Sequence, residues 1–230
     1  MNAVAASDRG ERIESEDLGR RVYRILKAMI IDGDLAAGEK LAQEKLAARL
    51  GVSRTPLLSA FSRLEQESLV RTVPRRGAFV RSYTREELVH IYDIRCRLEP
   101  LGARDAAVAA SAGDFATLHR HLADFDSAAA ARDTHALKRT DFDFHMELMR
   151  CSGNRFLYDM LATYNIIIIA NTTGLLKPAE QSDREHHELM DALEARDPER
   201  ADRIMFGHLS GARANLLQRA SLAGGRATED

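Results

Sequence analysis

An ordered series of local signals in the first third of the chain constrains the fold more than any other feature. A short amphipathic helix is predicted over 43–50, and Gly51 supplies its end. Ser53 is a good N-cap for a second helix that runs to about residue 68. Pro56 falls in the first turn of that helix, where a missing N–H costs little. The pattern is typical of a helix-turn-helix.

Two further predicted elements complete this unit. An amphipathic helix over 18–31 keeps its apolar residues on one face and ends near Gly33. Strand-like residues 69–73 and 78–81 flank a turn over 74–77 that contains two Arg, which predicts a β-hairpin with a basic tip. Three helices followed by such a hairpin make a winged helix-turn-helix, whose recognition helix fits the major groove of DNA.

The charge distribution agrees with this interpretation. Residues 37–83 contain nine Lys or Arg and four Glu, a net charge of +5, whereas residues 84–230 contain 18 basic and 24 acidic residues, a net charge of −6. A basic segment joined to an acidic one predicts that only the first meets a polyanion. For any single Arg a solvated basic face is the better interpretation, and it is the ordered combination that favours DNA binding.

The predicted DNA contacts lie in three places: the helix over 43–50, the start of the recognition helix after Gly51, and the tip of the hairpin. The recognition helix presents its first side chains to base edges, and its free N–H groups suit a phosphate. The hairpin tip could follow the phosphate backbone or enter the minor groove. The predicted residues are Lys45, Arg49, Ser53, Arg54, Thr55, Arg75, Arg76 and Gly77.

From residue 84 onward the pattern predicts only helices, about six of them, in an all-α antiparallel bundle. The stretch 164–173 is ambiguous, because four consecutive Ile also suit a strand. The predicted fold class is therefore mostly α, with a winged unit over 18–83 and a helical domain over 84–221. Residues 1–17 and 222–230 are expected to be a disordered arm and tail. The predicted helices are 85–110, 114–131, 134–151, 154–172, 178–196 and 198–220.

Several protein classes are disfavoured. Cys96 and Cys151 are too few for a disulfide framework and fit a reducing cytosol. Residues 1–17 lack the apolar core of a signal peptide, and the apolar run 166–170 is far too short to span a membrane. We therefore expect a cytoplasmic protein that makes no membrane contact.

Four polar residues interrupt the apolar, inward-facing stripes of the helical domain. Asp141 and His145 lie four residues apart on one helix face, and His186 and His208 lie on the stripes of the last two helices. A lone inward His is more often a satisfied core residue, but burying an Asp and three His together is costly unless they share partners. His and carboxylate suit a borderline divalent metal. Pattern alone supports a metal site and a polar core cluster about equally.

Arg95 lies on the inward stripe of helix 85–110, and two interpretations are open. It could form a buried ion pair with Glu99, four residues later. Alternatively, it could bind the carboxylate of a ligand, because a guanidinium matches a carboxylate in bidentate fashion.

The first unit resembles the GntR-type winged helix-turn-helix over 33–80. The resemblance implies a dimer that binds a short palindromic operator on double-stranded DNA. After Pro56 the family usually has an apolar residue and then Arg-Glu, whereas this chain has Leu57-Leu58-Ser59. In the family, the Arg of this pattern usually helps to read a base, and Leu58 takes its place here. Either operator preference is altered or the contacts shift to other basic side chains. The matching residues are Gly38, Leu41, Leu46, Ala47, the run 50–56, Arg63, Leu64, Arg76 and Gly77.

The rest of the chain, over 85–216, resembles the FCD effector domain of the FadR-like branch of this family, in its shorter, VanR-like form of six helices. The resemblance rests on residues 92–95, 98–99, 141–145, 152–154, 185–186, 192–197 and 208–209. It implies that the family's metal-binding Asp and three His are Asp141, His145, His186 and His208. It also implies a small organic or sugar acid as effector, and the ligand-binding interpretation of Arg95 would place the carboxylate of that effector beside the metal. Zn²⁺ is the expected ion, with Ni²⁺ and Mn²⁺ open.

The expected function is that of a DNA-binding transcriptional regulator, a homodimeric repressor controlled by a carboxylate effector at the metal site. Two alternatives remain. A metal-dependent enzyme would use the same four residues, although no nearby Glu stands out as a general base and a fused DNA-binding unit would need a reason. A regulator with a purely structural metal would bind its effector elsewhere.

Overall fold

The winged unit comes first in the structure, a computed structural model that describes residues 18–171 and 176–224. The predicted helices and hairpin are confirmed. A third strand was not predicted: it is only two residues long, too short to show an alternating pattern, and it pairs antiparallel with β3 to give the order β1-β3-β2. The elements are α1 (Leu18–Ile31), β1 (Lys40–Leu41), α2 (Gln43–Leu50), α3 (Arg54–Gln66), β2 (Val70–Val73) and β3 (Gly77–Val80).

The turn between α2 and α3 depends on Gly51. This residue has φ +65°, and its N–H donates to the carbonyls of Ala47 and Ala48. A left-handed backbone is costly for residues with a Cβ, so glycine is favoured here. The turn lets α3 pack on α1, where Leu26, Leu57 and other apolar side chains are fully buried.

The helical domain follows, and within the described residues it has seven helices rather than six. The prediction of one helix over 154–172 is wrong, because Tyr164 and Asn165 interrupt it. Asn165 takes φ +51°, which Asn tolerates better than most residues, and its amide donates to the carbonyl of Glu67 at 3.1 Å. The helices are α4 (Arg85–Ala109), α5 (Ala112–Ala131), α6 (Thr134–Cys151), α7 (Arg155–Thr163), α8 (Ile166–Asn171), α9 (Ala179–Glu194) and α10 (Pro198–Gly224).

The ends of these helices follow local capping chemistry. Thr84 caps α4 in a capping box with Glu87, and Ser111 does the same for α5 with Asp114. The last helix continues to Gly224, beyond the predicted end at residue 220. The predicted arm over 1–17, and the part of the predicted tail beyond residue 224, lie outside the described residues.

The bundle packs α4 along α10 and α5 against α6 around a buried apolar core. Helices α4 and α6 approach each other closely at Gly102, because glycine has no Cβ. An added Cβ would come within 2.4 Å of the Met149 sulfur. Across the ranges the structure describes, no helix has the length and apolar character needed to cross a membrane.

Polar contacts join the winged unit to the helical domain at two points. Arg139 of α6 donates to the Asp32 carboxylate at 2.5 Å, and His135 Nδ1 lies 2.5 Å from the Asp32 carbonyl oxygen. At the second point Asn165 donates to Glu67, whose carboxylate also accepts from Tyr23 of α1 at 2.6 Å. The helix that carries Asp141 and His145 therefore also touches the end of α1.

Candidate metal centre and nucleic-acid interface

The structure brings the four predicted polar residues of the helical domain together. Asp141 and His145 come from α6, His186 from α9 and His208 from α10, and their ligand atoms all lie within 4.8 Å of one another. All four are buried, with His145 fully inaccessible and His208 7% exposed. We refer to this group of four residues as the buried centre.

Several nitrogen atoms of the buried centre face one another without a hydrogen-bond partner among the described residues. They are His145 Nε2 and both ring nitrogens of His186. The Asp141 Oδ1 atom lies 3.9 Å from His145 Nε2 and 3.8 Å from His186 Nε2, too far for hydrogen bonds. Buried polar atoms rarely stay unpaired. Imidazole nitrogens and a carboxylate around one point fit a divalent cation such as Zn²⁺.

His145 is held from behind by Glu99. His145 Nδ1 lies 2.6 Å from Glu99 Oε2. Arg95 donates to both oxygens of the same carboxylate, from Nε to Oε1 and from Nη2 to Oε2. Burial alone would raise the pKa of Glu99, but Arg95 and His145 lower it to about 2. Glu99 is therefore an anion that accepts the Nδ1–H, and this contact turns His145 Nε2 toward the centre.

His208 is held in the same way by Glu185. Its Nδ1 lies 2.7 Å from Glu185 Oε2, and Lys177 contacts the same carboxylate while donating to the His208 carbonyl oxygen at 2.8 Å. Burial would raise the pKa of Glu185, but hydrogen bonds from His208, Lys177 and Gln181 lower it to about 2. Sequence reasoning missed Lys177 because it precedes α9 and lies on no helical stripe.

The imidazoles of His186 and His208 are neutral at pH 7. Burial lowers the pKa of His186 well below its ordinary value, and the neighbouring His208 and His145 add to this effect. Burial likewise lowers the pKa of His208 to about 4, against the opposing hydrogen bond to Glu185. Metal ligation requires the deprotonated ring, so the folded protein already holds these two side chains in the competent protonation state.

Arg95 is fully buried beside the centre. One of its terminal nitrogens lies 3.5 Å from His145 Nδ1, and its guanidinium carbon lies 5.0 Å from the centroid of the Tyr92 ring. The ion pair with Glu99, which was one of the two interpretations, is present. The other interpretation needs the same guanidinium to lie next to the centre, and it does.

On the winged unit, five of the predicted DNA-contacting residues line one open cleft of about 480 Å³. The cleft lies between α2, the start of α3 and the hairpin. Arg49, one turn after Lys45 on α2, lines an adjoining depression, and Ser53 and Thr55 are exposed at the start of α3. The five residues in the cleft are Lys45, Arg54, Arg75, Arg76 and Gly77.

Details of this cleft refine the sequence prediction. Ser53 occupies the N-cap position of α3, but its hydroxyl makes no capping hydrogen bond, contrary to what its residue type indicates. Arg54 pairs with Glu44 at 2.6 Å on the surface. Leu58 is 48% exposed on α3, and Arg75 takes φ +63° at the tip of the hairpin. The exposed side chains are thus arranged around a surface that an extended polyanion can reach.

A winged helix-turn-helix joined to a helical domain with a buried polar centre defines a DNA-binding regulator with a separate regulatory domain. Residues 18–80 match the family described as bacterial regulatory proteins, gntR family, and residues 90–211 match the FCD domain. The chain therefore belongs to the GntR family of bacterial regulators and carries an FCD domain.

Similar proteins agree with this assignment. The HTH-type transcriptional regulator YdhC of Bacillus subtilis (strain 168) is 30% identical over 194 residues, which cover 82% of this chain and 86% of YdhC. The HTH-type transcriptional repressor GlaR of Escherichia coli (strain K12) is 29% identical over 199 residues, covering 81% and 90% of the two chains. A crystal structure of a GntR transcriptional regulator from Rhodococcus sp. RHA1 has a TM-score of 0.76 at 27% identity, and the match covers 87% of this chain and 97% of that one.

The family and these relatives are transcriptional regulators and not enzymes. The alternative of a metal-dependent enzyme is therefore set aside. The protein is a DNA-binding transcriptional regulator.

Proposed function

We propose that the protein acts in the cytoplasm as a homodimeric repressor that releases a palindromic operator when a small organic or sugar acid binds at a divalent metal. The observation that carries this proposal is the set of buried, unpartnered His nitrogens around Asp141, stated for the residues that the structure describes. A metal would satisfy His145 Nε2 and one ring nitrogen of His186, and it would supply a positive charge that attracts a carboxylate.

The charges around the centre favour an effector that contacts the loaded centre through a single carboxylate. The charges of Arg95 and Glu99 cancel, as do those of Lys177 and Glu185. Asp141 offsets only one of the two charges of a divalent ion. A loaded centre would therefore retain one positive charge in a region of low dielectric constant, where an unbalanced charge is costly.

Arg95 is assigned to the effector carboxylate, because its guanidinium is next to His145 and lies away from solvent. Exclusion of water strengthens a charge-assisted hydrogen bond there. The role of Arg95 in holding Glu99 is compatible with this assignment, since a guanidinium has five N–H donors. Zn²⁺ is the proposed ion, and Ni²⁺ and Mn²⁺ accept the same donor set.

On the DNA side, two winged units of a dimer would meet half-sites about 34 Å apart, one turn of the duplex. The residues assigned to DNA are Lys45, Arg49, Ser53, Arg54, Thr55, Arg75, Arg76 and Gly77, seven of which are exposed. Leu58 lacks hydrogen-bonding groups, so a contact with a thymine methyl group suits it. The repressor direction is supported by the name of the similar protein GlaR.

The proposal is tested with Zn²⁺-loaded protein, a labelled DNA fragment from upstream of its own coding region, and a panel of small monocarboxylates. We expect the fragment to bind, and one acid class to raise the melting temperature and weaken DNA binding together. Both responses should vanish after chelation of the metal and be strongly reduced in Arg95→Ala. Arg97→Ala, an exposed change on the same helix, is the matched control.

Different failures of this experiment separate the alternatives. A full thermal shift in Arg95→Ala would remove Arg95 from the effector site. If chelation lowered the melting temperature but left the response to the acid intact, the metal would be structural only. Absence of binding to the upstream fragment at low salt would contradict autoregulation by this protein, and selection from random DNA would then define its operator.

A further inference from the structure

Lys177 is a buried cation whose charge the proposed effector site does not use. Its side chain is 2% exposed, and burying a lysine is costly unless its charge and its donors are satisfied. Its Nζ atom contacts Glu185, donates to the His208 carbonyl oxygen, and lies 3.1 Å from His208 Nδ1. All of these contacts are made to His208 or to the carboxylate that contacts its ring.

The arrangement repeats the one around His145. There Arg95 pairs with Glu99, which contacts His145 Nδ1; here Lys177 pairs with Glu185, which contacts His208 Nδ1. Two unrelated stretches of chain thus build the same order of cation, carboxylate and imidazole. The third imidazole, His186, has no such support, since both its nitrogens lack a hydrogen-bond partner in the described part of the chain.

The two neighbours of His208 Nδ1 require opposite positions of the ring proton. Ionised Glu185 only accepts, so the 2.7 Å contact needs a proton on Nδ1. The Lys177 ammonium group only donates, so a hydrogen bond at 3.1 Å needs a lone pair on the same atom. A neutral imidazole carries one proton. With the proton on Nδ1, Nε2 can bind a metal; with the proton on Nε2, it cannot.

We infer that Glu185 and Lys177 are opposed positioning residues that set the tautomer of His208, and that Glu185 holds the ring in the form able to bind metal. Glu185 prevails because Gln181 donates to its second oxygen at 2.9 Å, while Lys177 is directed to the carboxylate and to the His208 carbonyl. This inference rests on the proposed function only in taking the buried centre as a metal site.

At each of the two histidines a cation and a carboxylate compete for Nδ1, and the cation is the stronger competitor at His208. The Arg95 nitrogen lies 3.5 Å from His145 Nδ1, whereas Lys177 Nζ lies 3.1 Å from His208 Nδ1. Arg95 also spreads its donors over both oxygens of Glu99 in a fixed plane. The flexible ammonium group of Lys177 is free to turn toward the ring once its carboxylate is weakened, so Glu185 is the residue to change.

The test uses the full chain and two measurements. Zn²⁺ affinity is measured by competition with a chromogenic chelator, and the His208 tautomer is read in metal-free protein by ¹⁵N NMR of the imidazoles. For Glu185→Gln we expect the proton to move from Nδ1 to Nε2 and Zn²⁺ affinity to fall about 10–100-fold. The control is Glu194→Gln, which alters an exposed Glu–His pair with His119 and should change neither quantity.

The decisive variant is Lys177→Met combined with Glu185→Gln. Removing the competing donor should return the proton to Nδ1 and restore several-fold of the lost Zn²⁺ affinity, although two polar groups have been removed. A double variant that binds Zn²⁺ no better than Glu185→Gln would overturn the inference, as would a proton that stays on Nδ1 in Glu185→Gln. If the unaltered protein bound no Zn²⁺, the proposed function would fail, while the NMR measurement would still decide the tautomer.

Discussion

The open cleft of the winged unit and the buried centre each contain an Arg–Glu ion pair, and the two pairs differ mainly in their access to water. The side chains of Arg54 and Glu44 are 66% and 81% exposed, whereas those of Arg95 and Glu99 are 2% and 0% exposed. Water screens the first pair, so a phosphate can replace Glu44 at little cost. The second pair has lost its solvation, so neither partner can be removed without leaving an uncompensated charge.

The same two residue types are suited to an exchange of partners at the cleft and to positioning at the buried centre. At the cleft of the winged unit, the proposed DNA contact requires Arg54 to exchange Glu44 for a phosphate. At the buried centre, Glu99 has to keep His145 in one orientation. Burial, and not residue type, decides between these roles.

The buried Arg95–Glu99 pair should respond more strongly to the loss of its carboxylate than the exposed pair does. We expect Glu99→Ala to lower the free energy of unfolding by about 3–5 kcal/mol, because Arg95 would stay buried without a counter-charge. The matched change Glu44→Ala should alter it by only ~0–1 kcal/mol. Urea denaturation of both variants measures the difference. Equal, small changes would show that the buried pair is replaced by water at no cost.

A second expected effect concerns acid and the metal-free protein. The pKa values of His186 and His208 are lowered in the folded state, so the unfolded state takes up protons first as the pH falls below about 6.5. Stability is therefore fully present above that pH and is lost as the pH falls toward about 4, the pKa of folded His208. Each group contributes at most about 1.4 kcal/mol per pH unit.

Urea midpoints measured between pH 7.5 and pH 4.5 check this expectation. The variant His186→Gln should flatten the pH dependence, whereas His119→Gln, which alters a half-exposed surface His, should leave the slope unchanged. A slope that His186→Gln does not alter would mean that this ring is protonated in the folded state.

A change at Leu58, which is exposed on α3, should have a smaller effect. Leu58→Arg should change operator preference by about 1–3 kcal/mol per half-site, because an Arg on the recognition helix gains a bidentate contact with guanine. Leu217→Arg is the matched control, since Leu217 has a similar exposure of 46% against 48% for Leu58 but lies on α10. Selection of bound sequences from random DNA measures the change. Identical selected sites for both variants would place position 58 away from the bases.

The winged unit was predictable because its signals are local. Gly51, Pro56 and the basic turn each specify a backbone conformation through their immediate neighbours. The strand β1 escaped prediction because two residues cannot display a period, and its existence depends on pairing with β3. Local sequence signals thus predict the helices and the hairpin, but they do not predict which strands pair across the sheet.

The buried centre was predictable only in part. Helical spacing places Asp141 and His145 on one face, and the apolar stripes turn His186 and His208 inward. Glu185 and Lys177 gave no such sign, because their roles depend on how the start of α9 meets α10. The break at Asn165 has the same origin, since its partner Glu67 is 98 residues away in the chain.

Opposite sides of α6 contact the buried centre and the winged unit. Asp141 and His145 face the buried centre, while His135 and Arg139 touch Asp32 at the end of α1. At 3.6 residues per turn, Arg139 and Asp141 point about 200° apart around the helix axis. If the proposed ion drew Asp141 toward it by a small rotation of α6, Arg139 would move in the opposite direction and pull on Asp32 of the winged unit. Under the proposed function, α6 would thus couple the metal centre on one of its sides to the DNA-binding unit on the other.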